Sequence, residues 1–228
     1  MGKRQESRDR IERAIVEIGR RHLVTEGAAG LSLRAIARDL GMVSSAIYRY
    51  VGSRDELLTL LLVDGYTDLA ECVERARAHD APWRTQLASM AHAVRSWALA
   101  QPAGWALLYG SPVPGYHAPP ERTVAPGTRV PAMLLTVVAA GVAAGDIPDL
   151  DSKAVVPPQL SPDFDSLRTE FGVTAGDPAV TKCLVLWAAL VGAVSLEVFG
   201  QYGADTFADP AVLFDAQIGA LTDILLRN

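Results

Sequence analysis

The stretch LSLRAIARDLGMVSSAIYRYVGSRDELL, residues 31–58, has the spacing of two short helices joined by a tight turn. Its first half predicts an amphipathic helix, because apolar side chains recur at i, i+3, i+4 and i+7, at Leu33, Ile36, Ala37 and Leu40. Ser32 stands at the N-cap position, and Gly41 stands where the chain can reverse with positive φ. The pattern therefore predicts a compact helical hairpin.

The same residues satisfy the requirements of a helix-turn-helix motif. Such a motif needs a small residue where its helices touch, a glycine at the turn and an apolar anchor on the second helix. Ala37, Gly41 and Ile47 have these roles at offsets of four and six. The second helix, predicted from Ser44 or Ser45 through Tyr50, would present small and polar groups where such helices meet DNA base edges. Any short helical hairpin can show this spacing, so the triad alone leaves DNA binding open.

Charge is distributed unevenly along the chain. The protein has 228 residues, 50% of them hydrophobic, and a net charge of −5, which indicates a globular chain with a substantial core. Residues 1–60 contain 11 basic and 8 acidic residues, whereas residues 61–228 contain 10 basic and 18 acidic residues. Two regions of opposite sign suggest two roles, one of them contact with an anionic polymer.

Helical periodicity dominates the remaining sequence, and no alternating strand pattern competes with it. Prolines predict that residues 111–129 and 147–162 are loops. The expected fold class is all-α, with an N-terminal three-helix bundle containing the helix-turn-helix and a C-terminal helical domain. The predicted helices cover residues 7–26, 33–40, 44–50, 84–101, 103–110, 130–144, a short segment around 164–171, 177–201 and 210 onwards, with one long helix starting near residue 54.

Residues 31–58 closely resemble the N-terminal domain of the tetracycline-repressor (TetR) family. The matching positions are Ser32, Ile36-Ala37, Gly41, Tyr48 to Val51, Ser53, Arg54 and Leu57-Leu58. Two positions depart from the family pattern: Val51 replaces the usual aromatic residue, and Met42-Val43 stands where a polar residue often opens the second helix. The resemblance implies a DNA-binding domain over residues 1–53 and a regulatory domain over residues 54–228.

The resemblance also implies which side chains contact DNA. The residues at matching positions are Ser32, Arg34, Ser44, Ser45, Tyr48, Tyr50 and Arg54, and the helix pattern adds Arg49. Arg34 and Arg54 are expected to neutralise phosphates, and Ser44 and Ser45 to contact base edges. Tyr48 could be a packed aromatic, but it lies opposite Ile47 and Val51 on the helix, which favours DNA contact.

The C-terminal region is expected to bind a small hydrophobic effector. Residues 101–116 resemble an actinobacterial subgroup of the family with a Trp, small-residue, Gly signature before a proline turn. Family analogy places a cavity among the middle helices, lined by Trp97, Trp105, Leu108, Tyr109, Met133, Val137, Phe164, Phe171 and Trp187. The alternative is that these side chains form an ordinary aromatic core.

The last two predicted helices are expected to form a homodimer interface. Their apolar residues form a broader set than one core-facing stripe, comprising Leu190, Val191, Val194, Val198, Phe214, Ile218, Leu221 and Leu225. A helix-turn-helix protein binds two-fold operators as a pair, which supports the dimer. The alternative is that residues 177–201 form a buried central helix.

An enzyme is the rival class, but the sequence lacks the G-x-S-x-G, HExxH, P-loop and GxGxxG motifs. No metal site, cofactor, export signal or membrane span is expected, and the two cysteines, 111 residues apart, fit a reduced cytoplasm. The expected protein is a cytoplasmic homodimer that binds a double-stranded DNA operator and is released by an apolar effector. A ligand-dependent activator or co-repressed regulator of the same fold is the alternative.

Overall fold

The computed structural model describes residues 3–149, 156–203 and 205–227, with the side chains of residues 3 and 4 excepted, and these residues form helices and loops without a strand. This confirms the expected all-α fold class. The helices are α1 (Lys3–Gly30), α2 (Leu33–Asp39), α3 (Arg54–Ala76), α4 (Trp83–Ala100), α5 (Pro102–Tyr109), α6 (Pro120–Ala143), α7 (Ser161–Phe171), α8 (Asp177–Val198) and α9 (Pro210–Leu226). Short 3₁₀ helices occupy Ile47–Arg49 and Pro158–Leu160.

Two compact units share the chain, and their boundaries differ from a simple division after residue 53. The first unit contains the chain up to Asp68 together with Gln101–Gly127. The second contains Leu69–Ala100 and the chain from Thr128 onwards. Helices α3 and α6 each contribute residues to both units.

The core of the first unit joins the helix-turn-helix to a segment that is distant in sequence. Helix α1 packs against α2 and α5. The most buried members of this core are Ile15, Ile36, Ala37, Ile47, Val51, Leu57 and Leu58, each with no exposed surface. Ala103 and Leu107 from α5 and Val113 and Tyr116 from the following loop pack against them. Residues 101–127 thus complete the hydrophobic core of the DNA-binding motif.

Local signals explain the boundaries of the motif helices. The hydroxyl of Ser32 accepts a hydrogen bond from the Ala35 amide at 3.4 Å, which confirms the predicted N-cap of α2. The Ser53 hydroxyl accepts from the Glu56 amide at 3.1 Å at the start of α3. Gly41 has φ of 67°, a conformation that glycine adopts without a steric cost. The tight turn between α2 and the next segment depends on that glycine.

Two predictions about element boundaries were wrong. Residues 120–129, predicted as part of a loop, form the first turns of α6. Pro120 occupies the first helical turn, where its missing amide has no partner to lose, and Val130, Leu134 and Leu135 bury the helix further along. The second helix of the motif was also overpredicted, because residues 44–46 form turns and only Ile47–Arg49 forms a single 3₁₀ turn. Most of its hydrogen bonds are of the i to i+3 type, as between the Ala46 amide and the Val43 carbonyl at 2.8 Å.

The second unit is a helical layer built around α8. Helix α8 packs against α9, α4 and α7. A half-buried ion pair joins two of these elements, since Arg95 donates from Nε and Nη2 to the Glu197 carboxylate at 2.7 and 2.6 Å. Lys182 Nζ donates to the carbonyls of Pro148, Leu225 and Arg227 at 3.1, 3.2 and 2.8 Å, which ties α8 to the end of α9. Helices α6 and α8 are long and apolar enough to cross a membrane, but core helices pass that test too.

Candidate nucleic-acid interface

Five of the eight predicted DNA-contacting side chains face solvent on the helix-turn-helix. They are Arg34 on α2 and Ser44, Ser45, Tyr48 and Arg49 on the segment that follows Gly41. Within the described parts of the chain, none of the five forms a side-chain hydrogen bond or ion pair. Two guanidinium groups, three hydroxyl groups and an aromatic ring are therefore available to phosphates and base edges.

Burial of the opposite face fixes the orientation of these groups. Ile47 and Val51 have no exposed surface, whereas Tyr48 is 46% exposed. The predicted arrangement, with Tyr48 opposite Ile47 and Val51, is thereby confirmed. Val51 also fills the position where the family pattern has an aromatic residue, and it does so without leaving the core open to solvent.

The other three predicted residues have structural contacts. The Arg54 Nη2 donates to the carbonyl oxygens of Ala28 and Ala29 at 2.7 and 3.1 Å, at the C-terminal end of α1. These carbonyls have no intrahelical partner, so Arg54 supplies the hydrogen-bond donor that the end of the helix lacks. Ser32 is the N-cap of α2, and Tyr50 packs partly against the core of the first unit. The family pattern alone did not indicate this second role of Arg54.

A polar network that sequence reasoning missed connects three helices of the first unit. Arg20 on α1 donates to Asp64 on α3, and its Nη1 lies 3.9 Å from Asp68. Gln101, at the N-terminus of α5, donates from Nε2 to Asp68 at 2.9 Å. The signal was present, because Asp64 and Asp68 are the only charged residues between Leu57 and Ala70 of α3, and at four residues apart they share one face.

Two further contacts tie residues 111–127 to the start of α3. The hydroxyls of Thr59 and Tyr116 are 2.8 Å apart, and Arg122 Nη1 lies 3.7 Å from a Glu56 carboxylate oxygen. Glu56 also accepts from the Gly52 amide at 3.3 Å. The residues that precede α3, and so the helix-turn-helix, are positioned in part by the loop after α5.

The predicted effector-lining residues belong to both compact units. Trp105, Leu108 and Tyr109 belong to the first, and Trp97, Met133, Val137, Phe164, Phe171 and Trp187 belong to the second. The rings of Trp105 and Tyr109 are 4.4 Å apart, and Tyr66 meets Tyr109 edge-on at 6.1 Å. Burial, with a contribution from Tyr66, raises the pKa of the Tyr109 phenol well above its usual value. This aromatic group is apolar and neutral at physiological pH.

The predicted dimer residues divide into buried and accessible groups. Leu190, Val194, Phe214, Ile218 and Leu225 are at most 5% exposed within the chain, so they pack in its own core. Val191, Val198 and Leu221 are half-buried. The solvent side of α8 and its end form a stripe of apolar and small residues, which are the exposed Leu184, Val185, Ala188, Leu196 and Phe199 and the half-buried Gly192.

Two family models match the chain. One, described as "Bacterial regulatory proteins, tetR family", matches residues 15–61, and the other, "Tetracyclin repressor-like, C-terminal domain", matches residues 87–221. The first match contains the helix-turn-helix, and the second extends from α4 into α9. Together they cover both the exposed candidate interface and the helices that follow it.

Relatives and solved structures agree with these matches. The HTH-type transcriptional regulator Rv1816 of Mycobacterium tuberculosis is 59% identical over 230 residues, covering 100% of this chain and 97% of the relative. The HTH-type transcriptional repressor DrrR1 of Streptomyces coeruleorubidus is 39% identical over 83 residues, covering 36% of this chain and 28% of the relative. The crystal structure of the regulatory protein SCO4313 has a TM-score of 0.77 and 33% identity, and covers 97% of this chain and 100% of that one. FadR of Bacillus subtilis, solved with stearoyl-CoA, shares the fold at a TM-score of 0.65 and 12% identity, covering 91% of this chain and 96% of FadR.

Proposed function

The chain belongs to the TetR family of DNA-binding transcriptional regulators, and on this premise we propose that it is a homodimeric repressor released from a palindromic operator by an apolar effector. The family is one of regulators rather than enzymes, as the names of the full-length relatives state. Repression, the operator symmetry, the dimer and the direction of the effector response are the parts of this proposal that go beyond family membership.

The observation that supports DNA recognition most directly is the exposed group on the helix-turn-helix. Arg34, Tyr48 and Arg49 can hydrogen-bond phosphates, which fixes the protein on the duplex without sequence information. Ser44 and Ser45 lie at the N-terminal end of residues 43–50, the recognition segment, where motifs of this kind meet base edges. We expect Ser32, Tyr50 and Arg54 to add phosphate contacts only as secondary roles, since each has a structural contact already.

The exposed stripe on α8 supports the homodimer. Only 33% of the residues in the most apolar 18-residue stretch of α8 are buried within one protomer. Gly192 and Ala188 are small enough to allow a second helix to approach closely, and Glu197, the charged residue between Leu184 and Phe199, is paired with Arg95. Helix α9 contributes exposed Val212, Ala216, Ala220 and Ile224. Two copies of these helices would form an intermolecular four-helix bundle and bring two recognition segments to one palindrome.

The aromatic residues of the C-terminal region support an apolar effector. The predicted lining has few polar groups, and Tyr109 within it is largely buried, which raises the pKa of its phenol further above the physiological range. A regulator with the same fold, FadR, was solved with the acyl thioester stearoyl-CoA. We propose an apolar effector for this protein and a cytoplasmic location, where the operator is.

The name of DrrR1 supports repression, and a ligand-dependent activator or co-repressed regulator is the second candidate.

Selection of DNA from a random duplex library by the full-length protein tests this function. The expected product is an inverted repeat, bound by two protomers in sedimentation, with affinity that falls steeply with salt. Native mass spectrometry of the protein as purified then identifies apolar molecules that co-purify, and each is added to the protein–operator complex. Release of DNA supports the repressor, whereas tighter binding supports the co-repressed alternative. Failure to enrich any sequence would contradict the proposal.

A further inference from the structure

Val43, the second residue after the turn glycine, exposes an apolar side chain on the surface assigned to DNA. Its exposed fraction is 71%, close to the 73% of Val24 on α1. Ser44, Ser45, Tyr48 and Arg49, the other exposed residues of this segment, are all polar or carry a polar group. Val43 is therefore the one exposed aliphatic side chain between Gly41 and Val51.

The backbone holds Val43 in this position. Gly41 reverses the chain, and the Met42 amide donates to the Ala37 carbonyl at 2.8 Å, which draws Met42 toward the core of the first unit. The Val43 carbonyl then accepts from the Ala46 amide at 2.8 Å and so begins the recognition segment. A β-branched side chain at a fixed backbone position has few rotamers, so little conformational entropy is lost when it meets a ligand.

The chemistry of the major groove identifies what such a side chain can recognise. A serine hydroxyl both donates and accepts, so Ser44 and Ser45 can pair with several base edges and discriminate weakly. Thymine alone presents a methyl group in the major groove, at C5. Cytosine carries only hydrogen at C5, and its neighbouring C4 amino group would lose water against the valine methyl groups without gaining a partner.

We propose that Val43 is a specificity-determining residue that packs against the C5-methyl group of one thymine in each operator half-site. This inference rests on the proposed function and adds the base that the recognition segment selects. The contact excludes water from two apolar groups, so it favours a T·A pair over a C·G pair at that position.

Deoxyuridine substitution tests the contact one methyl group at a time. The operator is first selected from a random library with the full-length protein, and each thymine is then replaced by deoxyuridine in both half-sites. Affinity is measured by fluorescence anisotropy at fixed salt. We expect one symmetric position at which the wild-type protein loses about fourfold per half-site, the effect of removing one buried methyl group. The Val43→Ala variant should bind the thymine and deoxyuridine operators equally at that position.

Val24→Ala is the matched control, because it shortens an equally exposed valine in the same unit outside the recognition segment. It should retain the full preference for thymine. The inference is overturned if no thymine shows a methyl effect, or if Val43→Ala keeps the effect unchanged. Both outcomes differ from failure of the proposed function, in which the wild-type protein would enrich no DNA sequence in the first step.

Discussion

The exposed side chains of the helix-turn-helix separate into groups free to contact DNA and groups that hold the protein together. Arg34 and Tyr48 belong to the first kind because they face solvent. Arg54 belongs to the second because its guanidinium satisfies the last carbonyls of α1. Sequence similarity alone treats these positions alike, whereas the structure predicts that substitutions at them have different consequences.

Arg34→Ala and Tyr48→Ala are each expected to weaken operator binding by roughly 1 to 3 kcal/mol without changing the fold or the dimer. Loss of the Arg34 charge should also reduce the slope of log affinity against log salt by about 1. Titration at several salt concentrations measures both effects. Arg75→Ala, which removes an exposed charge from the part of α3 in the second unit, serves as the control. Unchanged affinity in both variants, with an intact circular-dichroism spectrum, would refute this recognition surface.

Arg54→Met is expected to lower the free energy of unfolding by about 1.5 kcal/mol, because it removes two charge-assisted hydrogen bonds to the end of α1. Thermal or urea denaturation without DNA measures the change. Arg34→Met provides the comparison, since its exposed side chain has no such bonds and stability should stay within about 0.5 kcal/mol. Equal stability of the two variants would show that Arg54 acts on DNA alone.

Cys183 is expected to resist thiol reagents in the folded protein, while Cys72 reacts. Burial raises the pKa of the Cys183 thiol to about 12, so almost none of it is the reactive thiolate at pH 8. Cys72 is only half-buried. Time-resolved mass spectrometry with iodoacetamide distinguishes the two sites, and denaturant should equalise them. Equal rates in buffer would mean that α8 opens locally.

At the scale of elements, the sequence predicted the bounds of a helix best where a local signal and burial agree. Helix α2 follows its prediction because Ser32 caps it and Ile36 and Ala37 are buried. Helix α6 begins ten residues before its predicted start. The prolines of residues 111–129 predicted a loop because proline lacks an amide donor, and that local signal does not include the burial of the rest of the helix. The recognition segment forms only one 3₁₀ turn, because its position comes from packing of Ile47 and Val51 rather than from helix length.

Helix α8 shows what periodicity can and cannot reveal about an interface. The broad apolar set of the sequence includes Leu190 and Val194, which pack inside the protomer. Sequence periodicity does not say which of two apolar faces is covered by the same chain. The accessible face, with Val185 and Leu196, is apparent only once the partners of α8 are known.

Val185→Glu and Leu196→Glu are expected to dissociate the dimer, since an unpaired charge in an apolar interface costs about 3 kcal/mol or more. Sedimentation should show the mass of one protomer, and operator binding should be lost with the recognition segment untouched. Leu99→Glu on α4 is the control for a charge at an exposed leucine. If both α8 variants stay dimeric and bind DNA, two protomers associate elsewhere.

At the scale of the whole molecule, the sequence predicted the fold class, whereas the grouping of distant segments into compact units became apparent only from the structure. The motif gave residues 1–53 as one domain, because local spacing defines it. The association of residues 101–127 with that motif depends on contacts between distant positions, such as Thr59 with Tyr116, which periodicity does not contain. The same limit applies to the Arg20–Asp64 pair.

Met133→Trp is expected to abolish the effector response while affinity for DNA without effector stays within a few fold. Couplings between sites are usually about 1 to 3 kcal/mol, or 5- to 150-fold in affinity, so loss of the response is measurable by operator titration with and without effector. Met133 is only partly buried and can accept a larger ring, whereas Leu108 is buried and lies so close to Gly65 that a Cβ at Gly65 would be 3.3 Å from it, which leaves less room for a tryptophan. A variant that responds like the wild type would place the effector elsewhere.

Residues 101–127 have a consequence for how such proteins can recombine. Consider a chimera in which the first 53 residues come from one relative and the remainder from another. Its N-terminal core residues would then pack against Leu107, Val113 and Tyr116 of a different protein. Side chains of mismatched volume at these positions would leave cavities or steric overlaps in the core of the transferred DNA-binding domain. A functional biosensor with an exchanged DNA-binding domain should therefore need two transferred segments, the N-terminal segment and residues 101–127 from the same relative.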